Sequence, residues 1–130
     1  MSDKERIPKW QAAWLASAWL LVGVVVYLSL ARLDVDVPEA GGDKVGHVLA
    51  YAALSFWFMQ VYVTSASRLA IAAALVVLGV TLEFLQGYTG YRTFDYADIV
   101  ANTIGVVVGW IASPPRTPSV FSRLQSYISR

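Results

Sequence analysis

The 130-residue chain contains no cysteine and a single histidine, and only 15% of its residues are charged. The lack of cysteine excludes disulfides, thiolate metal sites and cysteine nucleophiles, and it leaves the redox compartment unreadable. One histidine makes a zinc site less expected. A net charge of +1 gives no indication of a nucleic-acid partner. No serine elbow, phosphate loop or paired-histidine motif is present, so we predict no cofactor and no metal.

Apolar residues dominate what remains, at 57% of the chain with a mean hydropathy of +0.54. Ordinary soluble domains have roughly 45–50% apolar residues. Four runs approach the roughly 20 residues that a helix needs to cross a bilayer; they lie at residues 12–31, 46–63, 69–88 and 97–113. The first run exceeds the core of a signal peptide, so we expect it to be retained. The sequence therefore predicts an all-α integral membrane four-helix bundle, a single transmembrane domain over residues 1–130.

The cations indicate the orientation of this bundle. If the N-terminus is cytoplasmic, most of the 10 Lys and Arg residues fall inside, namely Lys4, Arg6, Lys9, Arg68, Arg116, Arg123 and Arg130. Arg32, Lys44 and Arg92 fall outside. The positive-inside rule then places both termini in the cytoplasm. For the tail, residues 114–130, the sequence leaves two alternatives: a short basic amphipathic helix on the cytoplasmic surface, or a disordered segment.

Polar side chains interrupt the last three apolar runs at the end that this topology puts outside. A rise of 1.5 Å per residue puts Glu83 roughly 7 Å below Tyr88, close to the outer surface. We expect three helices and a loop to direct polar groups into one cavity, the groups being Asp43, Lys44, His47, Tyr51, Glu83, Gln86, Arg92, Asp95, Asp98 and Asn102. Ionisable groups within a membrane are costly and are therefore a functional hypothesis by default. The alternative is a structural clamp that fixes helix register.

One stripe of the fourth helix carries Asp98, Asn102, Gly105 and Gly109, because these residues step by four, three and four. The stripe is polar at its start and small at its end. Gly105 and Gly109 are spaced for close packing against another helix. We therefore assign these two glycines to helix packing.

These residues form an ordered pattern: Asp43-Lys44-x-x-His47-x-x-x-Tyr51, then Glu83-x-x-Gln86, then Arg92-x-Phe94-Asp95-x-x-Asp98-x-x-x-Asn102-x-x-Gly105. The pattern resembles that of VanZ-like membrane proteins. The resemblance implies a small bacterial inner-membrane protein of the cell envelope, from a family whose founding member is associated with teicoplanin resistance. The resistance itself is not carried over. The implied motif positions are His47, Glu83, Gln86, Arg92, Asp95, Asp98 and Asn102.

Three functions are compatible with this sequence. In the first, Lys44, His47 and Arg92 meet an anionic head group while Glu83, Asp98 and Asn102 orient it. The ligand would be a membrane lipid, a lipid-linked envelope precursor or a lipophilic glycopeptide.

In the second, the chain is an enzyme acting on a lipid-linked phosphate or ester, with His47, Glu83 and Asp98 as candidate catalytic acids and bases and Asp43 orienting His47. A divalent-ion version would use His47, Glu83, Asp95 and Asp98 as ligands. In the third, the chain is a structural or assembly subunit that pairs with a second copy or with another membrane protein.

Overall fold

The computed structural model describes residues 9–32, 42–114, 119–128 and 130, with the side chain of Asp43 outside that description. Within these residues the fold is all-α, with five helices and no strand. The helices are α1 (Lys9–Leu30), α2 (Gly42–Phe58), α3 (Ser65–Tyr88), α4 (Tyr96–Ile111) and α5 (Val120–Ile128). In the tail, the helical alternative is the one that the structure shows.

Side chains before α3 and α4 begin these helices. The Oγ1 of Thr64 accepts a hydrogen bond from the backbone N–H of Ser67 at 3.2 Å. Asp95 accepts one from the N–H of Ala97 at 2.9 Å. Both satisfy donors that the first turn of a helix leaves unpaired. The Asp95 cap fixes where α4 starts, and so it fixes the position of Asp98 in the first turn.

The second helix is shifted towards the N-terminus relative to the prediction, since it spans Gly42–Phe58 rather than 46–63. The early start puts Lys44 in the first turn of α2. Arg68 stabilises the early end of α2. Its side chain is buried and donates to the carbonyls of Met59 at 2.9 Å and Tyr62 at 3.0 Å. These carbonyls lie just past the end of α2, where a helix leaves acceptors free. The chain can therefore turn directly into α3, which begins at Ser65 rather than at residue 69.

The most extensive helix contact is between α2 and α4, followed by that between α3 and α4. A Cβ atom on Gly105 would overlap the carbonyl oxygen of Val48, and one on Gly109 would overlap that of Ala52. The Oγ of Ser55 donates to the carbonyl of Val106 at 2.8 Å. The two glycines thus bring the backbones of α2 and α4 into direct contact.

The start of the first helix is attached to the end of α2. Near its start, the rings of Trp14 and Trp57 stack with centroids 4.2 Å apart. Trp14 Nε1 donates to the carbonyl of Trp57 at 2.8 Å, and Trp57 Nε1 donates to Ser17 Oγ at 2.9 Å. Both indole N–H groups are therefore paired, as buried tryptophans require.

Two helices among the described residues are long and apolar enough to cross a membrane. They are α1, with 22 residues and a hydropathy of 2.0, and α3, with 24 residues and a hydropathy of 2.1. Helix α4 is apolar but shorter. These two helices suggest that the protein associates with a membrane. The arrangement of four spans with both termini on one side stays a prediction.

Candidate functional site

Six of the predicted site residues lie together where α2 starts, α3 ends and α4 starts. We call this group the polar cluster; its members are Lys44, His47, Glu83, Asp95, Asp98 and Asn102. The exposed fraction of these side chains decreases from the outer to the inner members of the cluster. The Lys44 and Asp95 side chains are 37% and 47% exposed, whereas Asp98 is 8% exposed. Glu83 and Asn102 are buried beneath them.

Lys44 joins α2 to the start of α4. Its Nζ donates to Asp95 Oδ2 at 2.8 Å and also to Asp98 Oδ1. Hydrogen bonds to Asp95 and Asp98 raise the pKa of the Lys44 ammonium. In turn, the hydrogen bond from Lys44, followed by that from the Ala97 N–H, lowers the pKa of the Asp95 carboxyl. Both groups therefore stay charged across the physiological range.

His47 bridges Asn102 and Asp98 through its two ring nitrogens. Its Nδ1 lies 2.8 Å from Asn102 Oδ1. Because an amide oxygen only accepts, this contact assigns the Nδ1 proton to histidine. Its Nε2 lies 3.6 Å from Asp98 Oδ2, beyond good hydrogen-bonding distance. The imidazole is thus oriented on one side and has an acid–base edge facing a carboxylate on the other.

Glu83 holds α3 to the capping turn of α4. Its side chain is 1% exposed, and its Oε1 accepts the backbone N–H of Asp95 at 2.8 Å. The bond ties the most deeply buried carboxyl of the cluster to the backbone of Asp95, the residue whose side chain is the most exposed of the cluster. A change at Glu83 therefore moves Asp95 and, through it, Lys44.

Gln86 and Arg92 do not belong to the polar cluster, although the sequence groups them with it. Gln86 Nε2 donates to the carbonyl of Ser29 at 2.8 Å. Arg92 Nη2 donates to those of Leu28 at 3.2 Å and Ala31 at 3.4 Å. Together with Tyr91, whose hydroxyl donates to Leu30, they satisfy the last carbonyls of α1. A cation also suits the negative end of a helix dipole.

This attachment changes the interpretation of Arg92, which the sequence suggested as a holder of a ligand anion. The guanidinium donates through Nη2 to backbone carbonyls at the end of α1, and a role for Arg92 in holding a ligand stays a prediction. Tyr91 was missed altogether, and no local pattern could have revealed it, because its acceptor is 61 residues away.

The two remaining predicted residues are Tyr51 and Asp43. Tyr51 is buried in the hydrophobic core, with its ring against Gly79 and its Cβ against Gly105. Asp43 lies at the start of α2, and its side chain is outside the described residues. Its predicted role in orienting His47 stays a prediction.

The described residues contain no group of three or more His, Cys, Asp or Glu side chains arranged to hold a metal ion. The Lys44 ammonium lies between the two aspartates, where a divalent cation would otherwise balance their charge. The divalent-ion version of the enzyme therefore has no support in this geometry.

Comparison with known proteins agrees with the motif. A family model described as VanZ/LLP1 matches residues 7–116. "Uncharacterized protein C11E3.10" of Schizosaccharomyces pombe (strain 972 / ATCC 24843) is 36% identical over 94 residues, covering 70% of this chain and 56% of that protein. The chain thus spans just over half the length of this relative. No solved structure matches. Since the relative is fungal, the match does not by itself indicate a bacterial source.

Proposed function

Because the chain belongs to the VanZ/LLP1 family, we propose that it is a membrane protein whose polar cluster binds the head group of a membrane amphiphile. The observation that carries this proposal is the convergence of six polar side chains from α2, α3 and α4 at one end of the fold. From the resemblance to VanZ-like proteins and the distribution of cations, we propose the bacterial cytoplasmic membrane as its location, with this end outward.

The size of the polar cluster argues for more than helix register. Polar contacts between membrane helices contribute about 0.6 kcal/mol each on average in one measured system. Buried ion pairs often stabilise no more than apolar residues of the same volume would. A single Asn–His contact would fix register, yet the cluster also has three carboxyls and an ammonium. We infer that the additional charges serve a ligand.

Depth favours a head group as that ligand. Glu83 lies five residues before the end of α3, which at 1.5 Å per residue is about 7–8 Å. Helix α3 is one of the two candidate spans, so its end approaches the membrane surface. The half-exposed Lys44–Asp95 pair then faces the head-group layer, with His47 and Asp98 beneath it.

Charge favours hydroxyl or amine groups over a bare anion. Lys44 already serves two aspartates, and Arg92 is engaged with α1. The salt-bridged trio therefore has one positive and two negative charges, which repel a free phosphate. Carboxylates and an amide bind hydroxyls well, since they accept and donate hydrogen bonds. A lipid-linked envelope precursor carrying sugar hydroxyls satisfies this chemistry best, ahead of a simple phospholipid. A lipophilic glycopeptide has the same groups.

A second candidate function is acid–base catalysis on that same amphiphile. The observation that favours it is the His47 ring, which Asn102 orients through Nδ1 while Nε2 faces Asp98. In this reading Nε2 would accept a proton from a ligand hydroxyl, and Asp98 would stabilise the imidazolium that forms. It is a candidate because a pure binding site needs no such orientation.

The first test is mass spectrometry of lipids that co-purify with the wild type, His47→Ala and Asp98→Asn. Thr81→Ala is the matched control, because Thr81 is an exposed α3 residue that bonds only within its own helix. All variants must match the wild type in helicity and in detergent elution. We expect one hydroxylated amphiphile on the wild type and on Thr81→Ala, and its loss from the two cluster variants.

An equal lipid content in all four proteins would contradict the proposal and favour a helix clamp or an assembly subunit. If an amphiphile is found, His47→Gln separates binding from catalysis. Retained binding with lost turnover of that amphiphile would establish the enzyme.

A further inference from the structure

A second surface lies at the opposite end of α1 from the polar cluster, between the start of α1 and α5. It is a cleft of about 220 Å³. Apolar and aromatic side chains line most of it, among them Trp10, Ala13, Trp14, Phe121, Leu124 and Ile128. Trp14 and Ser29 are 15 residues apart on α1, or roughly 22 Å, so the two surfaces are separated by most of a membrane thickness.

Two contacts hold the start of α5, one with the turn after α2 and one with α1. The backbone N–H of Val120 donates to Gln60 Oε1 at 2.9 Å. The Phe121 ring meets the Trp14 ring edge-on with centroids 5.5 Å apart. The helix does not close the cleft, since Leu124 and Ile128 remain 46% and 51% exposed. A larger apolar group is needed to cover them.

The tail segment that supplies one wall of the cleft also carries exposed positive charge. Arg123 precedes Leu124 by one residue, about 100° around α5, and is exposed. Arg130 is exposed two residues after Ile128. No Asp or Glu follows Asp98 anywhere in the sequence, so the tail has no acidic residue to balance these cations. An apolar cleft in a segment whose cations have no acidic residue to balance them is complementary to an anionic amphiphile.

The geometry points to a phospholipid site: an anionic phospholipid binds between α1 and α5, with an acyl chain in the cleft and its phosphate against Arg123 and Arg130. The alternative occupant, a helix of a second copy, would need no cations in the tail segment. The inference does not rest on the proposed head-group site, because the two surfaces share no residue.

Lipid titration followed by native mass spectrometry tests this inference on the full chain in mild detergent. The probes are phosphatidylglycerol and phosphatidylcholine with identical acyl chains. The variants are Arg123→Gln and Leu124→Ser. The control is Arg32→Gln, which removes the same charge at the other end of α1, where Arg32 lies 5.7 Å from the Tyr91 ring centroid.

We expect the wild type and Arg32→Gln to prefer phosphatidylglycerol, and Arg123→Gln to bind it about fivefold more weakly, the effect of one cation near an anionic head group. Leu124→Ser should weaken both lipids. Soluble glycerol phosphate should not displace the phospholipid, since it has no chain for the cleft.

Equal loss in Arg123→Gln and Arg32→Gln would overturn the inference, because net charge alone would then explain the preference. Displacement by glycerol phosphate would overturn the role of the cleft. A wild-type dimer that Leu124→Ser dissociates, with lipid binding unchanged, would show that a second copy covers this surface instead.

Discussion

Lys44 is the residue on which the polar cluster depends. Its ammonium is the one cation that the described structure places between Asp95 and Asp98, so it holds the start of α2 against the start of α4. The pair with Asp95 is partly exposed, and solvent screening therefore limits what it contributes to stability. Replacing this one side chain nevertheless removes the cation that both aspartates share.

The pKa directions predict how that contribution depends on pH. Asp95 has a pKa below its ordinary value of 3.8, so its bond to Lys44 stabilises the fold above that value and is lost as pH falls. Lys44 has a pKa above its ordinary 10.5, so its contribution is present below that value and is lost only in strong alkali. The stabilising window therefore covers neutral pH and closes in acid.

We predict that Lys44→Met lowers the unfolding temperature by a few degrees at pH 7 and that the gap to the wild type narrows by pH 3. The reason is that the Asp95 carboxyl protonates in the unfolded chain below its ordinary pKa of 3.8, so the bond from Lys44 contributes less to stability as pH falls towards the lower pKa of the folded state. Thermal unfolding followed by circular dichroism at the two pH values measures this gap. The control is Lys9→Met, which removes an exposed lysine at the start of α1, far from the polar cluster; its unfolding temperature should show no such dependence on pH. A difference between Lys44→Met and the wild type that is equal at both pH values would refute the role assigned to Lys44.

Sequence spacing alone was enough to group some of these residues and not others. Asp98 and Asn102 share a stripe because they are four apart on one helix, and the fold turns that stripe towards α2. Gln86 and Arg92 are also polar and lie close to Glu83 and Asp95 in the sequence. Their hydrogen-bond acceptors, however, are backbone carbonyls of α1 that lie 57 and 64 residues away. A backbone carbonyl has no sequence signature, so contacts of this kind could not be anticipated.

At the scale of helices, the α2–α4 contact is the closest in the fold. Gly105 and Gly109 face the carbonyls of Val48 and Ala52, and neither position has room for a methyl group. Gly23 in α1 is different, because a Cβ there would meet no atom within 4 Å. The same substitution should therefore have opposite effects at the two places.

We predict that Gly105→Ala destabilises the protein by about 1–3 kcal/mol, the usual effect of overpacking. Gly23→Ala should stabilise it by about 0.5–1 kcal/mol, because alanine is the better residue in a helix interior. Unfolding in a detergent of constant composition measures both changes. Equal effects at both positions would show that the α2–α4 contact is looser than described.

The prediction agrees with the structure to within one residue at the end of α3 and the start of α4, but it is four residues late at the starts of α2 and α3, even though Thr64 caps α3. The start of α4 was expected at residue 97 and lies at Tyr96, directly after the Asp95 cap. The start of α2 lies at Gly42, four residues before the predicted position, because the prediction followed the apolar run, which begins only at residue 46. Its end was placed late because the pairing of Arg68 with the carbonyls past Phe58 depends on tertiary structure.

At the scale of the whole molecule, the two proposed surfaces lie at opposite ends of α1. The polar cluster is near the end of α3, and the α1–α5 cleft is near the start of α1. The excess of cations near the termini predicts that the cleft faces the cytoplasm. The polar cluster then faces outward.

We predict that a cysteine replacing Tyr88 reacts with a membrane-impermeant maleimide on intact cells, whereas one replacing Ser126 reacts only after permeabilisation. Both side chains are exposed. The natural chain has no cysteine, so it gives no background signal. Labelling of both positions from the same side would contradict the predicted topology.

The dominance of the α2–α4 contact has a consequence for how the protein is made. Synthesis delivers helices in order, so α2 leaves the ribosome before α4, its main partner, exists. Until α4 arrives, Lys44 and His47 lack Asp95, Asp98 and Asn102, and Glu83 lacks the Asp95 N–H. During synthesis, α2 therefore exists for a time with polar side chains at its start and without its main packing partner. A chain that stops after α3 would lack these partners for Lys44, His47 and Glu83, and we therefore expect it to be degraded faster than the full chain.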